Sequence, residues 1–215
     1  MHNFFIGMLL VFFDFSIKVG ARQLHVIHLL PDFLGYIFIL KGINEMLKES
    51  AVFERAVKPA KVLIVLGIIV FIANASGFAP RHENLASIGS FIILVFDITV
   101  WFRIIEGIED VERSRNIFLN SPELRKVWKI LSVLRVIVSL WSILAVTVLA
   151  GSIFAGAVTG LGTALAFGGI TAVIAGVAIV VFAIVLLVYN IKFLIRLRKA
   201  DKLYEEYSSR YIDEV

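Results

Sequence analysis

The chain has 215 residues, of which 60% are hydrophobic and only 18% are charged, and its formal net charge is +4. A soluble domain has roughly 45–50% apolar and about 25% charged residues, so this composition argues against a soluble protein. The absence of cysteine excludes disulfides, thiol catalysis and thiolate metal sites. The charges lie in clusters between long apolar stretches, which is typical of an integral membrane protein.

Two weaker apolar spans open the chain, at about 3–19 and 31–47. Asp14 and Lys18 interrupt the first span, which also lacks the basic start and the small-residue cleavage site of a signal peptide. The two spans either cross the membrane or form a re-entrant pair. Both arrangements leave the rest of the chain on the same side.

Four longer segments are almost uninterrupted in their apolar character, and each is close to the ~20 residues that cross hydrocarbon as a helix. Helix is favoured because backbone groups at that depth must be satisfied within the segment. The residues do not alternate as they would in the strands of a membrane barrel. These predicted spans are 62–80, 85–105, 127–150 and 169–191.

The basic residues predict the orientation of these spans. Of the 21 Lys and Arg residues, all but Lys18, Arg22 and Arg81 fall in the segments 41–61, 103–135 and 192–215. The positive-inside rule therefore places these segments and both termini in the cytoplasm. We predict an all-α integral membrane protein, a bundle of about six transmembrane helices with both termini inside.

No stretch is long enough for a separate soluble domain, so we predict one transmembrane domain over residues 1–215. Residues 192–215 form an amphipathic cytoplasmic tail, which we expect to extend the sixth helix. The tail then lies either near the lipid headgroups or in solvent. The connection 151–168 has no charge and is either a loop or embedded in the membrane.

Small residues recur at every fourth position in and after this connection, and on a helix that spacing permits close contact with a neighbouring helix. The stripe fits packing within one subunit, the seam of a homo-oligomer, contact with another membrane protein, or a re-entrant segment lining a cavity. Its members are Gly156, Gly160, Ala164, Gly168, Ala172 and Gly176.

Polar residues at membrane depth are the candidate functional residues. An ionisable group there costs at least ~2.5–3.5 kcal/mol on insertion scales, so it normally faces inward and has a partner. Asp97 lies near the middle of the fourth span, and Arg135 lies at a similar depth on the fifth, which predicts that they pair. The predicted polar seam either serves as a substrate or ion pathway or only fixes helix packing. It comprises Asp14, Lys18, Asn74, Asp97 and Arg135.

Two local pairs of polar residues also have candidate roles. Asp14 and Lys18 are four residues apart with the acid first, the better order for an ion pair within a helix. His25 and His28 are three apart and could ligate a metal from one helical turn, but Pro31 interrupts a helix there. We expect loop histidines and predict no metal site and no cofactor.

The segment Leu29-Leu30-Pro31-Asp32-Phe33-Leu34-Gly35-Tyr36, followed by an apolar run and Lys41-Gly42, carries a short motif. It resembles a Leu-Pro-Asp-Phe-x-Gly-Tyr signature of uncharacterised multi-span membrane proteins that are common in Gram-positive bacteria. The resemblance implies a bacterial inner membrane and supplies no activity.

The motif also has a physical interpretation. Pro31 and Asp32 are suited to start a helix, because proline fits its first position and an acid favours the positive end of the helix dipole. Gly35 allows close approach to a neighbouring helix. Tyr36 suits the aromatic belt at the membrane interface.

No catalytic or nucleotide-binding motif is present, and the basic residues flank the spans in a way that indicates topology rather than nucleic-acid binding. We expect a non-enzymatic, multi-pass inner-membrane protein that transports a small molecule or ion or serves as a transporter subunit. The alternative is an accessory membrane protein whose buried polar residues only fix helix packing. Its expected partners are the lipid bilayer and a second copy or another membrane protein.

Overall fold

The computed structural model describes residues 1–12, 16–19, 25–28, 31–76, 83–156 and 161–213. The regular secondary structure of these residues is helical apart from one short antiparallel ladder, in agreement with the predicted all-α class. A short 3-10 helix, Ala51–Phe53, leads into the third α-helix. The α-helices are α1 His2–Phe12, α2 Asp32–Met46, α3 Glu54–Ala75, α4 Glu83–Ser114, α5 Ser121–Gly156 and α6 Leu161–Asp213.

The first predicted span, 3–19, is wrong in its second half, because α1 ends at Phe12. Strand β1, Ser16–Val19, pairs antiparallel with strand β2, His25–His28. β1 reads Ser-Ile-Lys-Val, an alternation of polar and β-branched residues that fits a strand better than a helix. Lys18 lies opposite Val26 in the ladder, so the helical spacing assumed for an Asp14–Lys18 pair does not hold. Asp14 lies outside the described residues.

The ladder also changes the interpretation of the two neighbouring histidines. His25 and His28 occupy the two ends of β2, about 10 Å apart at the rise of a strand. The one-turn helical geometry considered for a metal site therefore does not occur here.

α1 and α2 pack against each other with unusually close backbones. A Cβ atom added to Gly7 would lie 2.6 Å from Cγ1 of Ile39 and 2.7 Å from the carbonyl oxygen of Gly35. A Cβ atom on Gly42 would lie 2.6 Å from the ring of Phe4. The predicted role of Gly35 in close helix approach is confirmed.

The start of α2 agrees with the motif interpretation in part, because Pro31 precedes the first helical position instead of occupying it. Pro31 is the N-cap residue with extended backbone angles, and Asp32 supplies the acid of the first turn. Phe33 then packs on α3, where its ring lies 5.9 Å from that of Phe71 in an edge-on arrangement. A Cβ atom added to Gly67 would lie 3.0 Å from Cβ of Phe33, so the two helices are closely apposed here too.

The described chain divides into two compact units. One comprises Met1–Lys129 and Lys192–Val215, and the other comprises Ile130–Ile191. The core of the first unit contains a cluster of three buried aromatic rings from α4, α5 and α6. Trp101, Trp128 and Phe193 have centroids 5.0–5.9 Å apart, and all three are almost fully buried.

α6 continues without interruption from the predicted sixth span into the tail, as expected. Leu197 and Ala200 are buried in the first unit along with Phe193, so the start of the tail packs onto protein. At the other end, α5 reaches Gly156 and α6 begins at Leu161, which makes the uncharged connection shorter than predicted. The backbone of the small-residue stripe is helical except at Gly160, which lies outside the described residues.

Two stretches of the described residues are long and apolar enough to cross a membrane, Ala51–Ala75 and Val180–Arg210. Their most apolar windows have mean hydropathies of 2.3 and 2.2 and are mostly unburied. Val65, Ile69 and Ile72 expose more than half of their surface on α3. An apolar surface of this extent needs lipid or another protein to cover it. The arrangement of six membrane-crossing spans stays a prediction.

Candidate functional site

Asp97 lies inside the first unit, on α4, and only 4% of its surface is exposed. Val100 and Trp101, which follow on the same helix, are fully buried, so the surroundings of the carboxylate are largely apolar. The phenolic hydroxyl of Tyr36 donates a hydrogen bond to Oδ1 of Asp97 at 3.2 Å. This contact joins α2 to α4 through polar side chains.

α2 determines the position of the Tyr36 hydroxyl. The preceding residue, Gly35, lies against α1, where a Cβ atom would come within 2.5 Å of Cγ2 of Val11. The tyrosine itself is 97% buried, since only 3% of its surface is exposed. Tyr36 therefore contacts protein on nearly all sides, and its place in the interfacial belt stays a prediction. Its phenolic hydroxyl can be buried because it contacts the Asp97 carboxylate instead of water.

A small cavity adjoins this hydrogen bond. Its volume is about 30 Å³, and its walls include Asp32 and Tyr36 from α2, Gly67 and Phe71 from α3, and Ile93 from α4. Asp32 and Tyr36 are four residues apart and therefore lie on the same face of α2. We call Asp32, Tyr36 and Asp97 the Asp97 cluster. Asp32 and Tyr36 line a space that holds about one or two water molecules, and Asp97 adjoins it through the hydroxyl of Tyr36.

The other residues of the predicted polar seam lie elsewhere. Asn74 is in the last turn of α3, roughly 10 Å along the helix from Gly67 at the rise of 1.5 Å per residue. Arg135 belongs to the second unit, where its Nη2 donates to Oδ1 of Asn190 at 2.9 Å. Lys18 is on β1, and Asp14 lies outside the described residues. The predicted Asp97–Arg135 pair would join residues of different units, and it stays a prediction.

Ion pairs gather on segments that the sequence assigns to the cytoplasm. Arg115 lies 3.2 Å from Glu49, Arg125 lies 3.0 Å from Glu109, and Arg196 lies 3.3 Å from Glu123. Each pair connects residues within or between the basic segments 41–61, 103–135 and 192–215.

The electrostatics of the second pair are partly opposed. Burial raises the pKa of the Glu109 carboxyl, and the neighbouring guanidinium of Arg125 counteracts this rise. Both side chains are partly exposed, so water screens their attraction. Such pairs each contribute only about 0–1 kcal/mol to stability. The value of the Arg125–Glu109 pair is positional, because it joins α4 to the start of α5.

Sequence reasoning identified Asp97 but not the two residues that accompany it. Asp32 was assigned to helix initiation and Tyr36 to the interface, although both belong to the motif. The missed signal was their spacing of four, which places a carboxyl and a phenol on one helical face. Their partner, Asp97, is 61 residues from Tyr36 in the sequence, and only the packing of α2 on α4 brings them together.

The chain matches no protein-family model, no curated protein and no solved structure.

Proposed function

We propose that the protein is a multi-pass protein of the bacterial inner membrane that moves a small cation, with the proton as the first candidate, through the Asp97 cluster. It acts as a small transporter or as a subunit of one. The single observation that carries the proposal is the buried Asp97 carboxylate, which accepts a hydrogen bond from Tyr36, a residue that lines a small cavity together with Asp32.

The cost of placing such a group among apolar helices supports a functional role. A carboxylate at membrane depth is expensive, so intramembrane acids are rare and commonly mark ion or proton paths. The exposed apolar surfaces of α3 and α6 favour a membrane location for the helices around the cluster.

The size of the cavity favours a proton or a bare cation over an organic solute. Room for about one or two water molecules suffices for a proton relay from Asp32 to Tyr36 and Asp97. A drug-sized ligand, in contrast, occupies a pocket of roughly 300–1,000 Å³. We therefore assign the cluster to a cation rather than to a metabolite.

Proton flux in reconstituted vesicles tests the proposal. The full-length protein is incorporated into liposomes containing a pH-sensitive dye, and a potassium gradient with valinomycin sets the membrane potential. We expect proton entry above that of empty liposomes. Asp97→Asn should reduce the protein-dependent rate at least about tenfold, because the amide cannot take up and release the proton. Tyr36→Phe should also reduce the rate, because it removes the hydroxyl that contacts Asp97.

Thr99→Val is the matched control for this experiment. Thr99 lies on the same helix as Asp97, and its hydroxyl donates to the carbonyl oxygen of Val95 within that helix at 2.8 Å. The control variant should conduct like the unchanged protein. No protein-dependent flux, or equal flux in the Asp97→Asn and Thr99→Val variants, would contradict a role for the cluster in proton movement.

A purely structural role is the second candidate, and the Tyr36–Asp97 hydrogen bond itself favours it. This bond links α2 to α4 and can fix the register of the two helices whether or not a cation passes. In this case Tyr36→Phe lowers thermal stability in detergent and leaves any flux unchanged. The same two measurements, stability and flux, thus separate the candidates.

A further inference from the structure

A second group of polar side chains lies where the start of α1 meets the tail portion of α6. Nδ1 of His2 is 3.5 Å from Oδ2 of Asp201, and Glu205 follows one helical turn later. One possible ligand atom from each of the three residues lies within 4.8 Å of the other two. All three residues belong to the first unit, and the Asp97 cluster shares none of them.

Asp201 is the buried member of this group. Its side chain is 7% exposed, and its Oδ1 atom has no hydrogen-bond partner among the described residues. The Met1 ammonium lies 3.8 Å from that oxygen, close enough for an ion pair but beyond hydrogen-bond length. Buried carboxylate oxygens normally have hydrogen-bond partners, so this oxygen requires a further one.

We propose that His2, Asp201 and Glu205 form a binding site for a divalent transition-metal ion, with zinc as the best-fitting probe. Zinc binds histidine nitrogen at about 2.0–2.1 Å and carboxylate oxygen at about 2.0–2.2 Å. Two such ligands in a tetrahedral arrangement lie about 3.4 Å apart. The observed separation of 3.5 Å between Nδ1 of His2 and Oδ2 of Asp201 agrees with this spacing.

The combination of one buried ligand and two exposed ligands suits metal binding. Asp201 is held in place by burial, whereas His2 and Glu205 are exposed and can adjust to the ion. The distance of up to 4.8 Å among the ligand atoms closes by rotation of the exposed Glu205 side chain. With one imidazole and two carboxylates in place, the fourth position of a tetrahedral ion stays open for water.

A metal here would also remove an electrostatic cost. Asp201 and Glu205 are four residues apart on one helix, and like charges at that spacing repel each other. A divalent cation neutralises both and fastens the beginning of α1 to the C-terminal part of α6. The sequence gives no motif for this site, because His2 and the two acids lie near opposite ends of the chain.

Zinc titration of the full chain tests the proposal. The protein is purified in detergent with any tag at the C-terminus, so that nothing precedes Met1, and zinc affinity is measured by competition with a fluorescent chelator. We expect one zinc ion per chain. His2→Ala and Glu205→Gln should each weaken the affinity at least about tenfold. Added zinc should raise the melting temperature of the unchanged protein but not that of these two variants.

Two control variants address other sources of zinc binding. Glu206→Ala removes an exposed acid next to Glu205, and His28→Ala removes a histidine of β2; both should keep the affinity of the unchanged protein. Because His2 and Glu205 are exposed, their variants should fold even if Asp201→Asn does not. Failure to bind zinc stoichiometrically, or unchanged affinity in both His2→Ala and Glu205→Gln, would overturn the site and leave the proton-flux proposal untouched.

Discussion

Asn190 shows how a single polar residue supports a charged one among apolar helices. It is 2% exposed, accepts the Arg135 hydrogen bond at 2.9 Å and donates from Nδ2 to the carbonyl oxygen of Leu186 at 2.8 Å. The amide therefore uses both of its ends, one towards α5 and one within α6. The Arg135 guanidinium thus has a hydrogen-bond acceptor that is a neutral amide and not a carboxylate.

A double-mutant cycle measures this contact. Arg135→Leu and Asn190→Leu should each lower the free energy of unfolding in detergent, and their combined loss should be smaller than the sum. We expect a coupling energy of about 0.6–1.7 kcal/mol, the range found for polar contacts between membrane helices. Arg135→Leu combined with Val180→Ala, an exposed position on the same helix as Asn190, should be additive. Additivity in the Arg135–Asn190 cycle would contradict the contact.

At the residue scale, the sequence predicted that Asp97 faces inward and has a partner, but it did not predict that Tyr36 contacts it. The sequence shows Asp97 as the one acid within a predicted apolar span, 85–105. A charge in such a span is costly, so a partner could be expected from the sequence alone. The contact with Tyr36 depends on how α2 packs against α4, which the pattern of one helix does not contain. The similar depth of Asp97 and Arg135 on two predicted spans suggested that they pair. The observed hydrogen bond of Arg135 is to Asn190, within the second unit.

At the scale of whole elements, close glycine contacts fix α1 against α2. Gly7→Ala and Gly35→Ala each place a methyl group within 2.7 Å of a backbone oxygen of the facing helix. Backbone cannot move aside as a flexible side chain can, so we expect each change to lower the free energy of unfolding by about 1–3 kcal/mol. Thermal or chemical unfolding in detergent checks this expectation.

Gly89→Ala is the matched control for these substitutions. Gly89 is also a helical glycine, on α4, but a Cβ atom there would have no neighbour within 4 Å. Alanine is favoured over glycine in a helix by up to about 1 kcal/mol, so this variant should be neutral or slightly more stable. Equal effects at Gly7 and Gly89 would show that intrinsic helix propensity, not interhelical contact, governs these positions.

The same scale explains why six helices could be predicted while the ladder could not. Long apolar stretches predict helices because the apolar run itself requires internal backbone hydrogen bonding. The strands Ser16–Val19 and His25–His28 are only four residues long, and each is stabilised by the other rather than by its own composition. A periodicity over so few residues does not separate strand from helix, so the first helix was extended too far.

For the whole molecule, the distribution of charge predicts which segments lie on the same side of the membrane, which hydropathy alone does not. The basic segments are far apart in the sequence, yet ion pairs join 41–61 to 103–135 through Glu49–Arg115 and 103–135 to 192–215 through Glu123–Arg196. Segments on opposite sides of a membrane could not form such pairs. The pairs therefore support the assignment of all three segments to one side, and the positive-inside rule assigns that side to the cytoplasm.

Reporter fusions in bacterial cells test this topology. A reporter that is active only in the cytoplasm, fused after Val215, should be active, because the basic tail keeps the C-terminus inside. The same reporter inserted within 81–84, between the predicted third and fourth spans, should be inactive there, while one that works only outside should be active. Arg81→Ala serves as a control and should not alter either signal. Of the 21 Lys and Arg residues, all but Lys18, Arg22 and Arg81 lie in the predicted cytoplasmic segments. These 18 residues outweigh the loss of one basic residue on the other side. If both fusion sites report the same compartment, the alternation of spans, and with it the six-helix arrangement, is wrong.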